Sequence, residues 1–135
     1  MRKKPFFLPV FFFLALTSFA LAADITISPP NITASPNSQF TINVNVANAT
    51  NLFGAAFDLV YNPAVLQFIS AQKGTFLEQG ASTNLLTSVS PSGTLIVGYS
   101  RLATDGAATG VTGSGSLITL TFNALTNGTS SLTFQ

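Results

Sequence analysis

The sequence predicts an all-β fold, an antiparallel β-sandwich of about eight to nine short strands. Three observations predict it. After residue 22, apolar and polar side chains alternate with a period of two along most of the chain, the period of a half-buried strand. Clusters of Pro, Asn, Gly and Ser break that alternation at 28–31, 35–38, 61–63, 90–93 and 126–128. No segment beyond the N-terminus has a helical period, so sheets with one apolar face each must bury those faces against one another.

The N-terminus stands apart. Arg2-Lys3-Lys4 precedes an apolar run from Phe6 to Leu16, and Ala20-Leu21-Ala22 follows as a small-residue pattern ahead of Ala23-Asp24. Charged, apolar and cleavage regions in that order describe a secretory signal peptide over 1–22. Pro9 interrupts the run, which falls short of the roughly 20 apolar residues that a spanning helix needs. The folded domain is therefore expected over 23–135.

Within it the strands are read in chain order. "DITIS", 24–28, is a short first strand. "QFTINVNVA", 39–47, is the clearest, with Phe40, Ile42, Val44 and Val46 on one face and Thr41, Asn43 and Asn45 on the other. Alternation over 54–60 turns Ala55, Phe57, Leu59 and Tyr61 to the core and Gly54, Ala56, Asp58 and Val60 outward. Asn62-Pro63 ends that strand, because proline supplies no ladder donor and fixes its own φ. Further strands are expected at 65–71, 83–89, 94–100, 117–124 and 130–134. The stretch "RLATDGAATGVTGSGS", 101–116, is the one long irregular region, read as a functional loop or, with more weight, as a crossover between the two sheets. Its glycines lack the lysine and the strand-to-helix setting of a phosphate cradle. The final strand reaches Gln135 with no turn or polar tail, so it reads as cut short or as leaving a sheet edge open, a site for association or for a partner strand.

Composition narrows function by exclusion. The 135 residues suit one domain, and without cysteine it must hold together by core burial alone. The formal charge of +1 belongs to the whole chain. Loss of 1–22 leaves Lys73 and Arg101 against Asp24, Asp58, Glu78 and Asp105. So few cations cannot neutralise a run of phosphates or hold an anionic membrane surface. Without His or Cys the usual general base, thiol nucleophile and transition-metal ligands are missing. The spacing of the acids brings no carboxylate pair together for glycoside hydrolysis, and Asp105 in "TDG" reads as a turn residue. A calcium site there would need several more oxygen ligands. No catalytic residue, cofactor or metal site is therefore assigned, and the chain is not read as an enzyme. There is no Trp and only Tyr61 and Tyr99, so an aromatic sugar-stacking platform is poorly supplied. Most phenylalanines fall on apolar strand faces, with Phe53 and Phe76 the two expected nearer the surface.

One run carries a resemblance. Phe57-Asp58-Leu59-Val60-Tyr61-Asn62-Pro63, followed by Ala64-Val65-Leu66-Gln67-Phe68, resembles the F-x-L-x-Y-[DN]-P-x-V-L-x-[FV] signature of cohesin domains. "AQKGTFLEQG", "TLIVGYSRL", "GVTGSGSLITLTFNAL" and "NGTSSLTF" resemble their later strands. The resemblance implies a nine-stranded jelly roll that binds a dockerin module through one sheet face rather than catalysing a reaction. It also implies an association with carbohydrate binding and polysaccharide breakdown. Where cellulosomal cohesins carry an Asn and an Asp for dockerin recognition, this chain has Gly54 and Ala56. The expected function is thus a secreted, non-catalytic, cohesin-like binding module. Its partner-binding residues are Gly54, Ala56, Asp58 and Val60, with Arg101 or Asp58 orienting the partner at the rim. The neighbouring strand at 94–100 and the Gly-rich loop would complete the face. A carbohydrate-binding module on the same scaffold, taking a polysaccharide, and a surface or pilus-like subunit assembling through an open edge are the alternatives.

Overall fold

The computed structural model describes residues 23–103 and 109–135; the leader expected at 1–22 and the turn expected at Asp105 lie outside the described residues. Among the described residues ten strands follow one another: β1 (Asp24–Ser28), β2 (Asn31–Ala34), β3 (Gln39–Leu52), β4 (Gly54–Val60), β5 (Leu66–Lys73), β6 (Thr83–Ser90), β7 (Thr94–Arg101), β8 (Val111–Ala124), β9 (Gly128–Ser131) and β10 (Thr133–Phe134). No helix occurs among the described residues. Two four-stranded sheets, in the orders β1-β3-β8-β5 and β10-β4-β7-β6, form the antiparallel sandwich, and β2 pairs with β9 as a small third ladder.

Alternation drives the layers together. Ile42, Val44, Leu120 and Phe122 from the first sheet and Leu59, Leu95, Val97 and Tyr99 from the second are at most 1 % exposed and belong to one core. Phe122 is its hub. Its ring stacks on Phe40 at 6.2 Å and meets Tyr61 and Phe68 edge-on at 5.1 and 5.7 Å, so strands of the first sheet and the segment after β4 converge on it. The turn after β4 forms as the sequence predicts. Asn62 accepts the Ala64 amide on its side chain and the Leu66 amide on its carbonyl, while the Tyr61 amide is taken by Gly93.

Three expectations are corrected. The described strands number ten, because Asn31–Ala34, which begins inside a "SPPN" turn cluster, is a strand, and because 130–134 is not one strand but parts of two. Leu132, buried at 4 %, is the residue at which the chain leaves β9 for β10, its amide bonded to the Pro30 carbonyl. The long irregular region is also shorter than expected, since 111–116 belongs to β8. The chain does cross there from the second sheet to the first, between Arg101 and Val111. The ladder over 111–116 is hard to read from sequence because it is bulged: Asn48 and Asn51 on β3 adopt left-handed φ values of 56° and 53°, and their amides bond the Ser114 and Thr112 hydroxyls. Finally, Phe53 is 40 % exposed, but Phe76 is buried at 2 % and packs against Gly115, where a Cβ would meet its ring at 2.9 Å.

Candidate functional site

The second sheet fixes the candidate site through its register. Because Phe57 and Leu59 on β4 and Leu95, Val97 and Tyr99 on β7 are buried, the residues between them must face away from the core. Across β4, β7 and β6 the outward side chains form four rungs: Gly54, Ser100, Asn84; Ala56, Gly98, Leu86; Asp58, Ile96, Ser88; and Val60, Thr94, Ser90. The structure therefore brings Gly54, Ala56, Asp58 and Val60 onto one face with the strand at 94–100.

The middle of this face is apolar and low. Gly54, Ala56 and Gly98 leave a shallow depression of about 350 Å³, continuous with a second of about 320 Å³ toward Ile96. Leu86 at 64 % exposure and Ile96 at 47 % stand beside it. The two glycines differ in cause. A Cβ on Gly54 would sit 2.8 Å from the Tyr99 carbonyl oxygen, so the fold itself asks for glycine there. A Cβ on Gly98 would meet nothing within 4 Å, so steric crowding does not require glycine there, and the absent side chain leaves the depression open. Asp58, half-buried on its rung, is the one ionisable side chain on the face among the described residues.

Arg101 lies elsewhere. It has the inward register of β7, and its guanidinium donates to the carbonyls of Leu77 and, at 2.9 Å, Gln79, which fastens the 74–82 segment to the end of the sheet. It is not gathered with the four β4 residues. Tyr99 supports the same segment from within, its hydroxyl donating to the Gly74 carbonyl at 3.2 Å, and burial pushes its phenol pKa upward. Leu86 is the part of the face that sequence reading missed. In "TNLLTSVS" two leucines are adjacent, and only the pairing of Leu85 with Tyr99 and Leu86 with Gly98 decides which one points out.

The opposite face, on β1-β3-β8-β5, contains no such apolar cluster among the described residues, and Ile69, 45 % exposed at the β5 bulge, stands singly there. Its rungs read Ser28, Asn43, Thr119, Gln72; Thr41, Thr121, Ser70; and Gln39, Asn123, Gln67, with the Thr119 hydroxyl donating to the Asn43 side chain at 3.0 Å. Among the described residues no three His, Cys, Asp or Glu side chains cluster as metal ligands would.

A family model described as the cohesin domain matches residues 25–135. The chain belongs to the cohesin family. Solved cohesins share its β-sandwich. A type II cohesin domain from the cellulosome of Acetivibrio cellulolyticus is 25% identical, with a TM-score of 0.66 over 84% of this chain and 74% of that one. The sixth cohesin of scaffoldin B from the same organism, solved in complex with a dockerin, is 16% identical, with a TM-score of 0.62 over 84% of this chain and 82% of that one. A non-cellulosomal cohesin from the archaeon Archaeoglobus fulgidus is 18% identical, with a TM-score of 0.53 over 84% of this chain and 78% of that one. No curated protein matches the chain.

Proposed function

We propose that this cohesin domain is a non-catalytic receptor module, exported behind the leader at 1–22, that captures a dockerin-type protein through the outward face of β10-β4-β7-β6. The observation that carries this reading is the rung Ala56, Gly98, Leu86 beside Ile96: a low apolar centre with exposed aliphatic side chains on adjacent strands, in a chain whose other broad face is built of polar rungs with Ile69 exposed singly at the β5 bulge. Such a centre gains affinity by excluding water, and a single carboxylate at Asp58 fixes the orientation of what docks there. Arg101 contributes by holding the 74–82 segment at the end of the face. Any role in polysaccharide breakdown would then come through the protein captured.

Asp58→Lys should weaken capture of the native dockerin partner about tenfold or more in calorimetry, about 1.4 kcal/mol, while the melting temperature stays put. Unchanged affinity in this variant would sink the assignment of the face. Direct polysaccharide binding is a second reading, supported by the uncharged amide and hydroxyl rungs of the opposite sheet. Retention on insoluble cellulose, chitin or xylan, abolished by changes on β3 and β8 but not by Asp58→Lys, would establish it.

A further inference from the structure

We propose that the outer edge of β6 pairs with the same edge of a second copy of this chain, antiparallel and centred on Thr87. The two four-stranded sheets would then join into one continuous sheet. This does not rest on the docking reading, since it uses the backbone of β6 rather than the outward side chains of the face.

Outer strands are ordinarily kept from pairing by shortness, proline, charge or a bulge. β1 is five residues long, begins at Asp24 and runs into Pro29-Pro30. β5 is bulged between Phe68 and Ser70 and closes on Lys73. β6 has none of these devices. Its eight residues, Thr83-Asn84-Leu85-Leu86-Thr87-Ser88-Val89-Ser90, include no charge and no proline, and its register against β7 runs without a shift. The result is an unbroken, uncharged edge about 27 Å long at 3.4 Å per residue.

The backbone groups and the access are both in place. In an antiparallel pair, alternate residues direct N–H and C=O to the same neighbour. The Leu102 amide donates to the Ser82 carbonyl at 2.8 Å, so even residues address β7, and on the other side Lys73 Nζ donates to the Thr83 carbonyl at 2.8 Å. Leu85, Thr87 and Val89 therefore turn both groups to an edge at which no described strand pairs. Thr87 and Val89 lie opposite buried Val97 and Leu95 and so have the inward register, yet Thr87 is exposed and Val89 is 45 % exposed. β6 thus overhangs the first sheet along this half, which leaves room for a strand beside it.

The side chains make a second copy the fitting occupant, because β6 is complementary to itself. A twofold axis through Thr87, perpendicular to the sheet, uses the same patch on both copies. It sets Leu85 of one copy opposite Val89 of the other, Thr87 opposite Thr87, and Leu86 opposite Ser88. Inward apolar side chains meet across the strands and cover Val89, threonine faces threonine, and no charge faces a like charge. Leu85, Thr87 and Val89 each exchange two backbone bonds with their opposites. The ladder also stops in register: one step further Pro91 would face Thr83, and proline has no N–H to give while the Thr83 carbonyl already holds Lys73. The axis points both outward faces to the same side, so Ile96 and Gly98 of each copy stay open.

Position 87 faces itself across this axis, which supplies the test. The full chain should sediment as a monomer–dimer mixture with a Kd on the order of 10 μM. Thr87→Lys and Thr87→Glu each set like charges opposite one another and should weaken the dimer at least about tenfold, about 1.4 kcal/mol. An equal mixture of the two variants should restore association to the parent level. In the parent, the Leu85, Thr87 and Val89 amides should exchange at least about tenfold more slowly above the Kd than below it. A parent still monomeric at about 100 μM would overturn the proposal. So would association indifferent to either charge, which would place the contact elsewhere, and so would a mixture that fails to restore it, which would exclude this register. Protection of those amides in the dilute monomer would show the edge already covered within the chain, and would overturn it too.

Discussion

The two broad faces of the sandwich arise from the same alternation and present opposite chemistry. On β1-β3-β8-β5 the paired outward positions are Thr, Asn, Gln and Ser, which hydrogen-bond water and one another, and the exposed aliphatic side chain of Ile69 stands singly at the β5 bulge. On β10-β4-β7-β6 the same positions carry Gly54, Ala56, Gly98, Ile96 and Leu86. Exposed apolar residues scattered singly are ordinary, but here they are adjacent across three strands around a depression. The polar face shows what this chain does with a surface left to solvent, and the apolar face is a departure from it.

That contrast can be broken at three depths. Phe122→Ala should have the largest effect, costing about 3–5 kcal/mol, because the ring touches Phe40, Tyr61 and Phe68 and is fully buried. Both faces should be lost in a single thermal transition. A second transition, with β4 and β7 still protected from hydrogen exchange, would mean that the two faces do not share one cooperative core. Gly98→Leu separates fold from function more finely. Its new side chain enters open space, and glycine is a weak strand residue, so stability should hold or rise slightly. Filling the depression should nonetheless weaken dockerin capture about tenfold or more, about 1.4 kcal/mol. Retained affinity with a filled depression would remove the apolar centre from the binding account. The smallest effect is expected from Thr121→Lys on the polar face: stability within about 0.5 kcal/mol and unchanged dockerin capture in the same titration.

Sequence reading went furthest where one residue's neighbours decide its direction. Along β3 and β4 the alternation is strict, so Ile42, Val44, Phe57 and Leu59 could be placed inside, and Asp58 outside, without knowledge of any partner strand. It failed where direction depends on pairing. Asn31–Ala34 is a strand only because β9 lies against it, and its four residues carry too little pattern to outweigh the prolines before it. Leu86 could not be told from Leu85 until β7 set the register. Arg101 reads from sequence as an orienting charge at a rim, since beyond residue 22 the chain has no other cation than Lys73. The Leu77 and Gln79 carbonyls that hold it come from a loop more than twenty positions away. The cohesin signature itself was legible, because Phe57 through Pro63 encode a strand and its stop in one local run.

The fastening of the two described cations has a kinetic consequence. Arg101 is committed to backbone carbonyls, and Lys73 divides itself between the Thr83 carbonyl and the Glu78 carboxylate, 3.5 Å away. With Lys73 paired to Glu78 and only Asp58 and Arg101 otherwise charged near it, the face proposed for docking projects a weak field. An approaching partner is neither drawn in nor turned by long-range forces, so encounters should proceed at about 10⁵–10⁶ M⁻¹s⁻¹, the range of unsteered association, with little response to ionic strength. Choice among rival partners would then be made after contact, by how long each one stays.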